Sequence, residues 1–413
     1  MQAKMELMAP AGNFEALQAA LDNGAGSVYF GVEQLNMRAR SSVNFQAEDL
    51  PEIVRRARKK GVRTYLTLNT ILYDHDIPVA RRLINAAKEA GVDAIIATDQ
   101  AAIFMAREAG MEVHISTQLN ITNVETVKFF AQYADTMVLS RELSLRQVKF
   151  ITDEIKRQNI KGPGGKLVKI EIFGHGALCM AVSGMCHLSL HTYNSSANRG
   201  ACKQNCRHPY LVIDKETGME LEIDNEYIMS PKDLMTVDFL DKIHDAGVSV
   251  LKIEGRARSA DYVAVTTRVY REAIDAIAAG TYNREKVEGW IRRLAKVYNR
   301  GFWDGYYLGR KLGEWAEPGN QASVKKIYIG RGKKYYAKAK VGEFKIENFE
   351  LKPGDKILIT GPSLGAKELI IKQMYVNDAP GTLAKKGDIM ALKLDYKIRP
   401  SDKLFKLIET SQT

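Results

Sequence analysis

Five times along this chain a stretch with helical spacing ends in glycine and gives way to a short β-branched or apolar run: AALDNGAGSVYFG, ARKKGVRTYLTLN, AKEAGVDAIIATD, AREAGMEVHISTQ and HDAGVSVLKIEG. A helix closes readily on a residue that tolerates positive φ, and glycine does so without a Cβ clash. Gly24, Gly61, Gly91, Gly110 and Gly247 therefore mark helix-to-strand junctions. Alternation of this kind restricts the chain to a parallel sheet covered by helices, either open and doubly wound or closed on itself. Apolar runs near 5–8, 27–31, 63–68, 94–97, 112–116, 136–139, 168–173 and 249–253 supply eight strands, and no glycine-rich dinucleotide fingerprint favours the open sheet. The expected fold is α/β, a TIM-like (β/α)8 barrel.

The helices are amphipathic. Leu50, Ile53, Val54 and Ala57 share one face, while Arg55, Arg56, Arg58, Lys59 and Lys60 are mostly left to solvent. Asn13 and Ser230 stand where helix N-caps are expected, and Ser230-Pro231-Lys232-Asp233 has the capping-box pattern with proline at the first helical position.

At 413 residues the chain exceeds the roughly 250 of a bare barrel. Part of the excess is an insertion at 174–230, which holds all four cysteines and four of the seven histidines. Loops leaving the C-terminal ends of barrel strands build active sites, so a long insertion there is read as functional. The helix-rich stretches DYVAVTTRVYREAIDAIAAG and REKVEGWIRRLAKVYNRGF complete a barrel domain over 1–320. From Val324 the texture changes to alternating runs, VKKIYIG, YYAKAKVG, DKILITGP, ELIIKQMYV and DIMALKL, broken by Gly, Pro and Asp. These predict a small C-terminal antiparallel β-barrel over 321–413.

That second region is basic, with 19 Lys and Arg against 10 Asp and Glu in a chain of net charge +11. Such a surplus fits a polyanion, with RNA the obvious partner, or else solubility alone. No stretch approaches the ~20 apolar residues of a membrane helix, and MQAKMELMAP lacks a signal-peptide core, so the cytoplasm is the expected location. Four cysteines confined to 179–206 read there as a metal site rather than as disulfides.

The stretch EIFGHGALCMAVSGMCHLS, with Glu171, Phe173, Gly176, Cys179, Gly184, Cys186 and Ser189 at the matching positions, resembles the signature of the collagenase-like peptidase family, the thirty-second family of peptidases of unassigned catalytic type. MELMAPAGNFEAL, NRGACKQNCR and KIEGR extend the resemblance over nearly the whole chain. KPGDKILITGP separately resembles the second domain of elongation-factor-Tu-like GTPases, and the absence of a P-loop confines that likeness to the β-barrel.

Cys179, Cys186, Cys202 and Cys206, spaced by six, fifteen and three residues, can hold a 4Fe–4S cluster or a zinc ion. The lack of paired C-x-x-C knuckles and the clusters carried by relatives favour iron–sulfur. His175, which follows a strand, is expected to face the mouth as a catalytic group, with Glu254 and Arg256 at the end of the eighth strand as a base and a carboxylate clamp. His114, inside a strand and approaching the mouth if its side chain points inward, Gln118 and Arg141 at other strand ends, and Arg199 and Arg207 among the last two cysteines are the candidate substrate-binding residues. Each has a structural alternative as a salt bridge or a core hydrogen bond.

The resemblance implies two activities. One is proteolysis on a protein or peptide substrate, although the chain has no G-x-S-x-G or H-E-x-x-H motif. The other is hydroxylation of the wobble uridine of tRNA, with prephenate as co-substrate and oxygen source and a paralogous partner subunit as a further possibility. A non-catalytic RNA-binding protein with a structural cluster is the third reading.

Overall fold

The computed structural model describes residues 5–39, 44–210, 213–218, 229–309, 313–317 and 319–410. The insertion at 174–230 thus includes 211–212 and 219–228, which lie outside the described residues.

Strand and helix alternate as β1 (Glu6–Pro10), α1 (Phe14–Asp22), β2 (Ser27–Phe30), α2 (Leu50–Arg58), β3 (Arg63–Leu68), α3 (Ile77–Ala90), β4 (Ala94–Ala97), α4 (Gln100–Glu108), β5 (Glu112–Ile115), α5 (Val124–Phe130), β6 (Thr136–Val138), α6 (Leu145–Arg157) and β7 (Lys169–Ala177). After the insertion, with its short α7 (Leu188–Tyr193), come β8 (Asp233–Met235), α8 (Leu240–Asp245), β9 (Val250–Ile253), α9 (Ala260–Ala278), α10 (Arg284–Leu294) and β10 (Phe302–Trp303). Strands β1 to β7 pair in sequence and in parallel, and β9 pairs in parallel with both β7 and β1. That double pairing closes an eight-stranded barrel, as the junction glycines predict. All five of those glycines have positive φ, between 67° and 89°. Asn13 caps α1 as expected, its side chain accepting from the Ala16 N–H at 2.8 Å.

The helix expected from Ser230 does not form. Residues 233–235 are instead strand β8, antiparallel to the end of β7 with Ala177 opposite Asp233. The carboxylate that would close the capping box is taken by Arg300, at 2.7 Å, and the Ser230 hydroxyl accepts from Arg207 at 2.9 Å. A buried ion pair has outcompeted a local cap.

The apolar core divides in two. Around the barrel, strands and helices share one large cluster, while Met8, Tyr29, Tyr65, Ala94, Ile96 and Val250 form a smaller one of their own. A separate core of Ile329, Phe344, Ile357, Met390 and Leu404 belongs to eight antiparallel strands. These are β11 (Val324–Tyr336), β12 (Val341–Ile346), β13 (Lys356–Gly361), β14 (Gly365–Ile370), β15 (Met374–Val376), β16 (Ala379–Gly381), β17 (Ile389–Lys393) and β18 (Lys403–Glu409). Their order is β14-β13-β18-β11-β12-β17-β15-β16.

Strand β14 lies against α1 and α9. Gly365 (φ +68°) makes the close approach possible, since a Cβ there would come within 2.9 Å of the Ala19 backbone nitrogen. Lys326 of β11 reaches the barrel as well, its Nζ 2.6 Å from Asp261 and 3.0 Å from the Ser259 hydroxyl at the start of α9. Among the described residues no helix is long and apolar enough to cross a membrane.

A cationic cavity at the barrel mouth

At the C-terminal ends of the barrel strands lies a cavity of about 440 Å³. Tyr29, Thr67, Phe173 and Lys252 supply its strand walls, and residues 254–258 the segment after β9. The insertion contributes Cys179, Cys186, Cys202 and Cys206. Seven cationic side chains line the cavity, namely Arg38, Arg141, Arg207, Lys252, Arg256, Arg258 and Arg300, against one carboxylate, Glu254.

Glu254 receives the Tyr29 hydroxyl at 3.2 Å and pairs with Arg38 at 3.4 Å. Burial alone would raise its pKa, but Arg38, Arg141, Arg256 and Lys252 outweigh that and hold the carboxyl below its ordinary value. Arg256 is 6% exposed and donates through Nη1 to Thr67 Oγ1 at 2.7 Å and Asn36 Oδ1 at 3.1 Å. Its buried Nε has no hydrogen-bond partner among the described residues. Arg141 lies 3.8 Å over the Phe173 ring and donates to the Ala177 carbonyl at 3.3 Å, and its Nε is likewise unpartnered. Buried donors without acceptors are rare in folded proteins, and two of them belong to side chains that line this cavity. Lys252, 4.4 Å from the Tyr29 ring centre, is bound at 2.9 Å to Glu171, which is wholly buried.

Of the residues singled out in the sequence, Glu254, Arg256, Gln118, Arg141, Arg207 and the four cysteines come together here. Gln118 accepts from the hydroxyls of Ser116 and Thr98. Arg207 fastens the insertion by donating to the Leu178 and Pro231 carbonyls, and burial with nearby Arg300 pushes its pKa down to about 10.

Three expected residues are elsewhere. His175 is buried away from the cavity, its ring among Tyr262, Tyr270 and Phe302 with Nδ1 3.3 Å from the Tyr270 hydroxyl. Alternation would place it on the same face as Glu171 and Phe173, but the register of β7 against β9 shifts between Phe173 and His175 and turns it outward. Burial pushes its pKa down to about 4. His114 packs on Tyr65 and bonds Glu112, the first residue of β5, and so belongs to the opposite end of the barrel. Arg199 pairs with Asp76 and lies 4.1 Å over Tyr73, anchoring the insertion to the start of α3.

The sequence reading did not single out Tyr29, Arg38, Lys252, Arg258 or Arg300 as site residues. A signal existed for Arg38, since the connection between β2 and α2 is itself long and leaves the same face of the barrel.

The four thiols sit where a shared inorganic group was expected. Burial raises the pKa of Cys206, and the neighbouring Cys179, Cys202 and Cys186 add to the rise while Arg207 opposes it. The Leu188 N–H points at the Cys186 sulfur at 3.4 Å, a contact that favours a thiolate. The donor chemistry fits a four-thiolate group. The ligand spacing is not drawn in: among the described residues no three of Cys, His, Asp or Glu gather around one point as ligands of a single ion. A tetrahedral zinc needs its sulfurs within about 3.8 Å of one another, whereas a four-iron cluster holds its thiolates at separate corners.

A profile of peptidase family U32 matches residues 12–317. The chain is 54% identical over 402 residues to "Collagenase" of Porphyromonas gingivalis, covering 97% of each. It is also 32% identical over 413 residues to "tRNA hydroxylation protein P1" of Bacillus subtilis, covering 98% of this chain and 95% of the other. A third relative, "tRNA hydroxylation protein P" of Escherichia coli, is 31% identical over 350 residues, 73% of this chain and 74% of that one.

Proposed function

The chain belongs to peptidase family U32, and we propose that it is an iron–sulfur-dependent enzyme that hydroxylates the wobble uridine of tRNA, with prephenate as the source of oxygen. The observation that carries this reading is that four cysteines line one cavity together with two arginines, each of which has a buried Nε unpartnered among the described residues. Relatives named for tRNA hydroxylation that match across most of this chain support it.

Cys179, Cys186, Cys202 and Cys206 would hold the cluster, which supplies electron-transfer or Lewis-acid chemistry when bound. Arg141 and Arg256 would offer their guanidinium groups to an acidic co-substrate, and two such groups suit a ligand with two carboxylates. The Phe173 ring beneath Arg141 holds that guanidinium in place at the cavity wall. Glu254, held ionised by its cationic neighbours, orients Arg38 and receives the Tyr29 hydroxyl. Lys252, on the cavity wall, is held by the buried Glu171.

Proteolysis is the second reading, favoured by the 54% identity to a protein named collagenase. A cysteine nucleophile needs a base in reach, and among the described residues no hydrogen bond joins a histidine to any of the four cysteines. Anaerobically purified protein is expected to be brown with absorbance near about 400 nm, and tRNA from a deletion strain to lack hydroxyuridine and its derivatives. Unchanged nucleosides, together with gelatin cleavage by cluster-free protein that is lost on Cys179→Ser, would replace the hydroxylase with the peptidase.

A further inference from the structure

The strongest concentration of unopposed charge outside the cavity lies at the far end of the antiparallel sheet. Strands β11 and β12 form a hairpin whose last pair is Tyr336 with Val341. Val341 is paired in turn with Lys393 of β17. The segment after β17 folds back on the same hairpin: the Leu394 N–H donates to the Lys340 carbonyl, the Tyr335 hydroxyl donates to the Leu394 carbonyl, and Gly332 abuts the Arg399 carbonyl so closely that a Cβ would overlap it.

These contacts bring Lys333, Lys334, Lys338, Lys340, Lys393, Lys397 and Arg399 to one end of the sheet, all of them exposed. Three carboxylates answer them there among the described residues: Asp395 at 3.3 Å from Lys340, Glu343, 9% exposed, at 3.8 Å from Lys333, and the buried Asp402, which accepts from the Arg399 N–H at 2.8 Å. The barrel helices differ, since Arg55 and Arg56 share Glu52, Arg157 holds Glu154 and Lys149 holds Asp153. Tyr336 lies within the basic cluster, 40% exposed, with the Lys334 ammonium 4.7 Å from its ring centre.

We infer that the β11–β12 hairpin tip, with residues 393–399, is a docking face for the phosphodiester backbone of RNA. Repeated lysines beside an exposed aromatic ring suit a strand of phosphates with a base free to stack. An acidic protein surface would use the charge but not the ring. Scale points the same way. Lys326 is fixed at the loop that carries Arg256 and Arg258, and ten residues of strand separate it from Tyr336. At ~3.3 Å per residue the strand runs about 33 Å between them, a span on the scale of a polynucleotide rather than of a single nucleotide. The inference rests on the RNA reading above and says which surface of the protein serves it.

The test measures binding of unmodified tRNA by the full chain across a salt series. Three proteins are compared: the wild type; a hairpin variant with Lys334→Glu, Lys338→Glu and Lys397→Glu; and a control of equal charge with Lys88→Glu, Lys128→Glu and Lys149→Glu on the barrel helices. The hairpin variant is expected to lose at least about tenfold in affinity near 0.1 M salt, and its slope of log affinity against log salt to fall by about 2, while the control stays within about twofold. Tyr336→Ala is expected to weaken binding about tenfold with the slope kept. Equal losses in the hairpin and control variants, or tight wild-type binding that the hairpin variant retains, overturn the docking face and leave the functional reading standing. A wild type with no salt-dependent affinity for tRNA removes the RNA reading itself, and the docking face with it.

Discussion

At the N-terminal end of the barrel strands, Arg63 binds Glu112 at 2.6 Å, Glu112 binds His114 at 3.0 Å, and the Tyr65 hydroxyl binds Glu6 at 2.7 Å. Asp93 takes the Thr64 N–H and hydroxyl. At the C-terminal end seven cations line the cavity, of which Lys252 pairs with Glu171, Arg300 with Asp233 and Arg38 with Glu254, and the Nε atoms of Arg141 and Arg256 have no partner among the described residues. The same strands carry both ends. Charged groups at the base pair with one another, with His114 Nδ1 left unpartnered among the described residues, and so work for stability, whereas the mouth holds a positive surplus suited to an anion. Perturbing the base should therefore move stability and leave chemistry alone, and perturbing the mouth should do the reverse.

Lys252 tests the boundary between the two ends and has the largest expected effect. Lys252→Met leaves Glu171 buried without its partner, and unfolding free energy from denaturant titration should fall by about 4 kcal/mol. Adding Glu171→Leu should recover most of that loss. Recovery of hydroxylation alongside stability would show that the pair serves packing only.

His175 asks whether a position at the mouth end of β7 is enough for a role there. Its pKa in the folded protein, about 4, lies below the ordinary 6.5 because burial disfavours the charged ring. The unfolded chain therefore binds the proton first, and stability present above pH 6.5 is lost as pH falls towards 4. The loss is about 3 kcal/mol, and His175→Phe should abolish it in melts across that window. A catalytic pH profile altered by the same substitution would return His175 to the site.

Arg256→Lys keeps the charge and discards the fork. The proposed hydroxylation should fall by about a hundredfold with little change in melting temperature. A large drop in melting temperature with activity per folded molecule preserved would erase the contrast between the two ends.

Glu112→Gln is the matching change at the base. Burial would raise the Glu112 pKa, but His114 and Arg63 outweigh it and hold it at about 2. The substitution should cost about 2 kcal/mol at pH 7, a difference that closes as pH falls from 4.5 towards 2, with activity unaffected.

Much of the fold was legible because it is written locally. Gly24 or Gly91 declares its backbone angle by having no side chain, and the eight barrel strands stand within a few residues of the apolar runs. The cysteines, Glu254 and Arg256 were legible for a related reason, since a strand end followed by a loop points its residues at the mouth. His175 was misread because one irregularity in β7 reverses the alternation, and a register shift leaves no mark in composition. Ser230 failed as a cap through Arg300, seventy residues away in the chain. The pairing of Lys252 with Glu171 is equally remote in sequence, and such partners become visible only once the barrel has closed.

Lys326 gives the antiparallel sheet a stake in the barrel's active end. Its ammonium grips Ser259 and Asp261, the residues immediately beyond the arginines at 256 and 258. Cutting the chain before the sheet would withdraw that grip at the moment it removed the basic hairpin, so a truncated barrel with no activity would confound a misaligned guanidinium with loss of the proposed RNA docking face. Dissecting the two halves of this enzyme calls for single side-chain changes rather than shears.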